Sequence, residues 1–210
     1  MKPVARVYNT KNNTIDIPDI FYMDTNAFVE VGLNRTYQKE VSDFLTRAAA
    51  GKKMVTFSDH VENEVMDCIH VEVLKEEVTR NNYKGDNNST IAVWKQYENT
   101  GVNVGSLVTA RFNDFMSITR DYGSDLFYKV DMPPQPEFMS KMIEYMKHGL
   151  SPKDARHAAI MHYNGINDIF TLDTGFVKAP NFNVYSPTSR LRKIAKTTEK
   201  LSPHTYSETI

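Results

Sequence analysis

The sequence lacks several features that would assign it to a familiar class of protein. It has a single cysteine, Cys68, so no disulfide can form within the chain, which fits a reducing compartment. No run of about 18 consecutive apolar residues occurs, and the first ten residues lack the apolar core of a signal peptide. These absences exclude a disulfide-stapled fold and predict a cytoplasmic protein without a membrane span.

Neither sign of charge dominates the chain, which has 25 Lys and Arg residues against 26 Asp and Glu residues and a formal net charge of -1. This balance neither indicates nor excludes a nucleic-acid partner, because a near-neutral protein can still carry a basic stripe. Hydrophobic residues make up 40% and charged residues 24% of the chain, as in ordinary soluble globular proteins. A length of 210 residues predicts one domain with its own core.

Motifs that define common nucleotide and zinc sites are also missing. The sequence has no glycine-rich loop of the GxxxxGKS/T or GxGxxG kind, which disfavours nucleotide hydrolysis and dinucleotide binding. It has no HExxH motif and no paired cysteines, so nothing in the sequence indicates a zinc site. Any site in this chain must therefore be built from other side chains.

Strand and helix patterns alternate in the first eighty residues. A bulky apolar run at 19–24 predicts a buried strand, and apolar residues spaced by three and four predict a helix over 36–50. A second apolar strand is expected at 54–57, and Ser58 is placed to cap a long helix after it. This alternation indicates the βαβ connections of a parallel sheet.

The middle of the chain differs from both ends in its sequence pattern. At about 81–150, polar and proline-interrupted segments separate stretches of helical period, so we expect a mainly helical insert rather than a separate domain. Alternation resumes with a helix over 151–165, a strand over 166–173 and one further short strand. The predicted organisation is one α/β domain over 1–187 with this insert, followed by a basic tail over 188–210.

Two stretches, FYMDTNAF and FTLDTGF, each place an Asp-Thr pair after an apolar run. Asp-Thr-Gly is the signature of aspartic proteases, whose two carboxylates share a proton between β-rich lobes. Asn26 replaces the first glycine and helical periodicity dominates the rest of the chain, so a protease is disfavoured. If both acids follow parallel strands, Asp24 and Asp173 lie at the sheet edge where such folds bind ligands. Asp168 precedes the last of these runs and is expected to be a turn residue at the opposite edge.

Two further acids stand near the beginnings of helices. Asp154 follows Ser151 and Pro152 in the pattern of a capping box, a role compatible with metal binding because a carboxylate has two oxygens. Glu62 and Glu64 lie on opposite sides of the apolar face of the long helix after Ser58. Periodicity does not choose between these two glutamates.

A cluster of such acids needs neutralisation. Four carboxylates in one crevice repel one another unless they are protonated or bind a cation. Oxygen ligands suit Mg²⁺ or Mn²⁺ better than Zn²⁺. A site of this kind can support hydrolysis of a phosphodiester by water.

The order of these motifs resembles the PIN domain family of metal-dependent nucleases, which includes the VapC-like toxins. The matching positions are Asp24 to Asn26 after a strand, Ser58 to Glu64 at a helix start, Asp154 with Ala155, and Thr171 to Asp173 with Phe176 downstream. The resemblance covers roughly 20–69 and 150–184 and leaves the middle of the chain unmatched. It selects Glu64 over Glu62, and it implies a three-layer α/β/α fold around a mainly parallel sheet.

The resemblance also implies roles for particular residues. Asp24, Glu64, Asp154 and Asp173 would be the catalytic acids and would bind Mg²⁺ or Mn²⁺. Asn26 and Thr171 would orient them by hydrogen bonding. Independently of the resemblance, charge and position make five basic residues candidates for contacts to the nucleic-acid backbone, with solvated surface residues as the alternative: Lys52, Lys53, Arg156, Arg190 and Arg192.

The expected activity is that of an endoribonuclease acting on single-stranded or structured RNA, as a free-standing enzyme or as a toxin with a protein antitoxin. A homo-oligomer is compatible with either role. The insert and the residues before the first predicted strand make this chain longer than a minimal toxin of the family. The alternative is a catalytically inactive PIN-fold scaffold that binds RNA or protein. Buried acids argue against it, because uncompensated charges are costly to bury.

Overall fold

The fold is built on a parallel β-sheet. The computed structural model describes residues 5–12, 14–123, 125–191 and 193. The strands are β1 (Arg6–Asn9), β2 (Ile20–Met23), β3 (Met54–Phe57), β4 (Phe127–Lys129), β5 (Asp168–Phe170) and β6 (Asn183–Ser186). They form one six-stranded sheet in the order β1-β6-β5-β2-β3-β4, and every pairing is parallel.

Helices connect the strands. They are α1 (Thr25–Gly32), α2 (Gln38–Ala50), α3 (Asp59–Arg80), α4 (Val93–Glu98), α5 (Gly105–Asp121), α6 (Gln135–Lys147) and α7 (Pro152–Tyr163), with a 3₁₀ turn at Gly175–Lys178. In the part of the chain that the structure describes, no helix has both the length and the apolar character needed to cross a membrane.

Both faces of the sheet are covered by helices. Successive side chains of a strand point to opposite faces, so Phe21 and Tyr22 of β2 mark the two sides. On one side Phe44 of α2 packs edge-on against Phe21, with ring centroids 5.3 Å apart. On the other side the ring of Tyr22 lies 5.7 Å from that of His157 in α7. The predicted three-layer α/β/α architecture is confirmed, and the sheet is entirely rather than mainly parallel.

Two strands were not anticipated from the sequence. β1 pairs with β6 at one edge of the sheet, and β4 pairs with β3 at the other. Both are short, and neither contains a fully buried residue, so they lack the apolar run by which a strand is recognised. The insert expected at 81–150 does contain α4, α5 and α6, but it also contributes β4 to the sheet.

The chain order reverses at β2, which places a crevice beside it. The strands that follow β2 extend the sheet through β3 and β4 on one side, whereas β5 and β6 add to the other side. In open parallel sheets, ligands bind outside the carboxyl ends of the strands at such a switch point. Asp24 directly follows β2, and Thr171 directly follows β5.

Candidate functional site

A cavity of about 420 Å³ opens at this switch point, and the acids predicted from four separate motifs all line it. Its lining includes Asp24, Asn26, Glu64, Asp154, His157 and Asp173. The side chains come from α1, α3, α7 and the segments that follow β2 and β5. The fold therefore brings together residues that are far apart in the sequence.

Asp24 is the most enclosed of these acids, with only 4% of the residue exposed. It caps α1, because its Oδ1 accepts a hydrogen bond from the backbone N–H of Thr25 at 2.8 Å. Its Oδ2 accepts from Asn26 Nδ2 at 2.8 Å and from Thr171 Oγ1 at 2.6 Å. Burial raises the pKa of Asp24, because desolvation disfavours the charged form more than these partners favour it.

Asn26 and Thr171 connect the start of α1 to the end of β5. Asn26 Oδ1 accepts a hydrogen bond from the backbone N–H of Leu172 at 2.9 Å. Thr171 Oγ1 accepts from the backbone N–H of Asp173, also at 2.9 Å. Both residues thus lie where hydrogen bonds can orient Asp24 and the segment that carries Asp173.

Glu64 projects from α3 and is held by two donors. Its Oε2 accepts a hydrogen bond from Thr25 Oγ1 at 2.7 Å and lies 2.9 Å from His157 Nε2. Burial alone would raise the pKa of Glu64, but the hydrogen bonds from His157 and Thr25 outweigh it and hold the pKa at about 2. Glu62 instead pairs with Lys129 of β4 at 2.7 Å and is not part of the cavity lining.

Asp154 combines capping with a place in the cavity. Ser151 Oγ accepts a hydrogen bond from the backbone N–H of Asp154 at 3.2 Å and donates one to Asp154 Oδ2 at 2.8 Å. Burial raises the pKa of Asp154, and the nearby charge of Asp173 adds to this increase. A cation between two neighbouring carboxylates stabilises their ionised forms, because it offsets their mutual repulsion.

Gly175 lets the loop after β5 approach Asp154 closely. A Cβ atom at this position would lie 2.3 Å from Asp154 Oδ2 and 3.4 Å from Asp173 Oδ1. The backbone N–H of Gly175 donates to Asp173 Oδ1 at 2.8 Å, which closes the turn. Glycine at this position therefore avoids a clash with the Asp154 carboxylate.

His157 is a central residue of the site that the sequence indicated only weakly. It is 2% exposed, and its Nε2 lies between Glu64 Oε2 and Asp24 Oδ1, which is 3.5 Å away. Its Nδ1 lies 3.1 Å from the hydroxyl of Tyr22, which in turn lies 2.7 Å from Ser58 Oγ. Burial would lower the pKa of His157, but the two carboxylates raise it above its ordinary value. The available signal was its spacing of three from Asp154 on one helix face.

His60 lies on the far side of Glu64. Its Nε2 is 3.6 Å from Glu64 Oε1, and its ring centroid is 4.5 Å from that of His157. Burial, together with the charge of His157, lowers the pKa of His60 to about 4. His60, Glu64 and His157 each have one potential metal-ligand atom within 4.8 Å of those of the other two. No other group of three His, Cys, Asp or Glu side chains in the described part of the chain meets this limit.

Two of the basic residues considered from the sequence lie at the opposite edge of the sheet. Lys52 and Lys53 precede β3, and Lys53 Nζ pairs with Asp19 at 2.7 Å. Asp168 begins β5 at the same edge, where its Oδ1 accepts a hydrogen bond from Asn183 Nδ2 at 3.0 Å. None of these side chains belongs to the cavity lining.

The remaining basic residues are distributed differently. Arg156 is exposed, and its guanidinium lies 5.8 Å from the ring centroid of Phe138 in α6. Arg190 is exposed, while Arg192 and most of the basic tail lie outside the described residues. Three basic residues belong to the cavity lining: Arg35, Lys75 and Lys153. Lys153 Nζ lies 3.6 Å from Glu64 Oε1, and its side chain is 81% exposed.

The four acids of the cavity offer the kind of donor atom that a hard divalent cation prefers, but in the described part of the chain no three of them have ligand atoms within 4.8 Å of one another. Asp24, Glu64, Asp154 and Asp173 offer only oxygen ligands, which Mg²⁺ and Mn²⁺ prefer. The two oxygens of Asp24 already accept three hydrogen bonds, so at most one further lone pair is available on that carboxylate. Direct ligation by some of the acids, with the others acting through water, agrees with this arrangement.

Comparisons with known proteins gave structural likeness only. No family model and no curated protein matches the sequence. A structure of VapBC2 from Rickettsia felis bound to a DNA fragment from their promoter matches 80% of this chain and 98% of its own, with 12% identity and a TM-score of 0.48. A structure of FitAcB from Neisseria gonorrhoeae matches 80% of this chain and 97% of its own, with 17% identity and a TM-score of 0.41. These TM-scores are too low to assign a fold, so we assign the fold class from the strand order and the helices of this chain.

Proposed function

We propose that the chain is a PIN-type endoribonuclease that hydrolyses RNA phosphodiesters with Mg²⁺ or Mn²⁺. One observation carries this proposal: the acids of four separate sequence motifs line a single cavity at the carboxyl ends of β2 and β5. A cation bound by Asp24, Glu64, Asp154 and Asp173 would counter the negative charge that develops on the phosphodiester.

The protein itself supplies positioning. Asn26 and Thr171 hold Asp24, and Ser151 holds Asp154, each through a side-chain hydrogen bond. Such contacts fix the carboxylates before substrate arrives, so little reorganisation is needed at the moment of reaction. Lys153 lies at the exposed rim of the same cavity and can attract the phosphate backbone of RNA.

The direct test is cleavage of a labelled single-stranded RNA by the purified protein with Mg²⁺, with Mn²⁺ and with EDTA. Asp24→Asn should abolish cleavage while the circular dichroism spectrum stays native. Asp168→Asn is a matched control, because it removes an acid at the opposite edge of the same sheet. Full activity of Asp24→Asn, or full activity in EDTA, would contradict the proposal. A DNA strand of the same sequence tests the preference for RNA.

We further propose a toxin role with a protein antitoxin as the biological setting to test first. Expression of the wild-type chain should then slow growth, whereas Asp24→Asn should not. A small DNA-binding protein encoded upstream should relieve the effect when the two are expressed together. Equal growth with the wild-type chain and the Asp24→Asn variant would favour a free-standing nuclease.

An inactive scaffold is the second candidate, and the contact between His157 and Glu64 favours it. Nε2 of His157 lies 2.9 Å from Glu64 Oε2, so the partly buried carboxylate of Glu64 has a hydrogen-bond partner without any cation. Calorimetric titration with Mg²⁺ and Mn²⁺ separates the candidates. Absence of binding at millimolar concentrations would support the scaffold and remove the nuclease.

A further inference from the structure

We propose that His60, Glu64 and His157 form a nitrogen-ligated position for a transition-metal cation, best suited to Zn²⁺, on the α3 side of the cavity. Imidazole nitrogen favours Zn²⁺ and its neighbours over Mg²⁺. Two histidines with one glutamate, and a fourth position left open, form a ligand set used by catalytic zinc. Because cation binding here does not require RNA cleavage, the proposal extends beyond the nuclease activity.

The spacing of the ligand atoms suits such an ion. His60 Nε2 lies 3.6 Å from Glu64 Oε1, and His157 Nε2 lies 2.9 Å from Glu64 Oε2. Zinc bonds of about 2.0–2.1 Å in tetrahedral geometry place neighbouring ligand atoms roughly 3.3 Å apart. These two separations run to different oxygens of Glu64. One ligand atom from each of the three residues lies within 4.8 Å of the others, so the side chains have to close in by up to about 1.5 Å to bind one ion.

His60 has a nitrogen atom that lacks a partner. Its side chain is 11% exposed, and its Nε2 is buried without a hydrogen bond. Buried polar atoms normally have a partner, and for this ring nitrogen the partner would be a bound ion or an ordered water. The spacing of four residues between His60 and Glu64 places both side chains on the same face of α3.

Hydrogen bonds to neighbouring residues orient the side chains of His157 and Glu64. His157 Nδ1 is 3.1 Å from Tyr22 OH, and that hydroxyl is 2.7 Å from Ser58 Oγ. Thr25 Oγ1 donates to Glu64 Oε2 at 2.7 Å. Metal-binding histidines usually have their second nitrogen bonded in this way, which fixes the ring orientation.

Titration with Co²⁺, a spectroscopic substitute for Zn²⁺, tests the proposal. The wild-type protein should develop the intense visible absorption of a four- or five-coordinate Co²⁺ site. His60→Ala should weaken Co²⁺ binding by at least about tenfold, since loss of even an outer-shell partner costs 10–100-fold. His70→Ala is a matched control, because His70 lies on the same helix with its Nε2 3.5 Å from an acid, Glu98. Equal affinities of the wild type and His60→Ala would overturn the proposal.

A second measurement needs no variant and so does not depend on a mutant folding. Nitrogen chemical shifts of the histidine rings should move on addition of Zn²⁺ at Nε2 of His60 and His157. Unchanged shifts at both rings would contradict the site. Asp173→Asn separates this site from the nuclease: it should lose RNA cleavage yet keep Co²⁺ absorption, because Asp173 is outside the group of three. Loss of the absorption in Asp173→Asn would instead assign the ion to the carboxylate cluster and overturn the proposal.

Discussion

Nε2 of His157 lies 2.9 Å from Oε2 of Glu64, and this contact joins α7 to α3 at the centre of the cavity. The His157 side chain is 2% exposed and the Glu64 side chain 13% exposed, so water screens the pair little. The two carboxylates raise the pKa of His157, which favours the protonated ring beside acids that repel one another.

His157→Gln should therefore destabilise the protein by about 3–5 kcal/mol, the usual cost of leaving one partner of a buried ion pair without the other. Urea unfolding of the EDTA-treated protein measures this change. His162→Gln is the matched control, because His162 is on the same helix but exposed; it has a 3.4 Å contact with the Tyr145 hydroxyl, so its loss should cost about 1 kcal/mol or less. Similar midpoints for the two variants would show that the His157 contact contributes little.

The same pair predicts how stability depends on pH. The pKa of Glu64 falls from its ordinary value of 4.5 to about 2 in the folded protein. A lowered pKa of an acid contributes stability above the unfolded value, and this stability is lost as pH falls through the folded value. Glu64 should thus contribute about 3 kcal/mol near neutral pH. The difference in unfolding free energy between the wild type and Glu64→Gln should shrink between about pH 4.5 and pH 2. A difference independent of pH would contradict this.

Thr171→Val should impair the proposed RNA cleavage more than the stability of the fold. The variant loses the donor to Asp24 Oδ2 and the acceptor for the N–H of Asp173. Cleavage should fall by about 10–100-fold, as for other groups that orient metal ligands. The control is Thr56→Val, a buried threonine whose hydroxyl donates to the Phe21 carbonyl outside the cavity. Rates at saturating RNA, compared with thermal midpoints, separate positioning from stability; equal losses of rate in both variants would refute a specific role for Thr171.

Gly175→Ala should disturb Asp154 directly. The added Cβ would lie 2.3 Å from Asp154 Oδ2, so the carboxylate or the loop has to move. A displacement of about 1 Å can reduce a reaction about 100-fold, and a loss of that size is expected in kcat/KM for RNA. Gly105→Ala is the control, since the nearest atom to its new Cβ is a side-chain oxygen of Asn103 at 3.2 Å. An unchanged kcat/KM in Gly175→Ala would show that the acid tolerates the shift.

The sequence predicted the part of the fold that has strong apolar signals. Four strands contain buried apolar residues, so their positions could be predicted from the apolar pattern: β2, β3, β5 and β6. The same pattern predicted that Asp24 and Asp173 lie at one edge of the sheet. The edge strands β1 and β4 lack this signal. Glu64, and not Glu62, belongs to the cavity lining, while the role of Glu64 stays a prediction. The choice between them came from family resemblance, because periodicity placed both glutamates at the margin of one helix face.

The contact between His60 and His157 could not be predicted from the sequence. His60 and His157 meet only because α3 and α7 pack beside β2, and no local pattern specifies how two distant helices face each other. Spacing places His157 near Asp154 on α7, yet the rotation of α7 about its axis depends on the whole core. The buried contact with Tyr22 is therefore a tertiary property.

The closeness of Asp154 and Asp173 implies a cost that a cation should relieve. The charge of Asp173 raises the pKa of Asp154, as does burial, so the cation-free site disfavours two ionised acids. Asp154→Asn should therefore stabilise the EDTA-treated protein by roughly 0.5–2 kcal/mol, as other relaxed functional sites do. Mg²⁺ should raise the thermal midpoint of the wild type, and Asp154→Asn should lose most of this rise, because the stabilisation by a ligand grows with the logarithm of its affinity. Thermal unfolding of both proteins with EDTA and with Mg²⁺ measures the two effects. If Mg²⁺ raised the thermal midpoints of the wild type and of Asp154→Asn equally, the cation would not bind at Asp154. Removing the charge of a ligand has to weaken the binding of the cation that it holds.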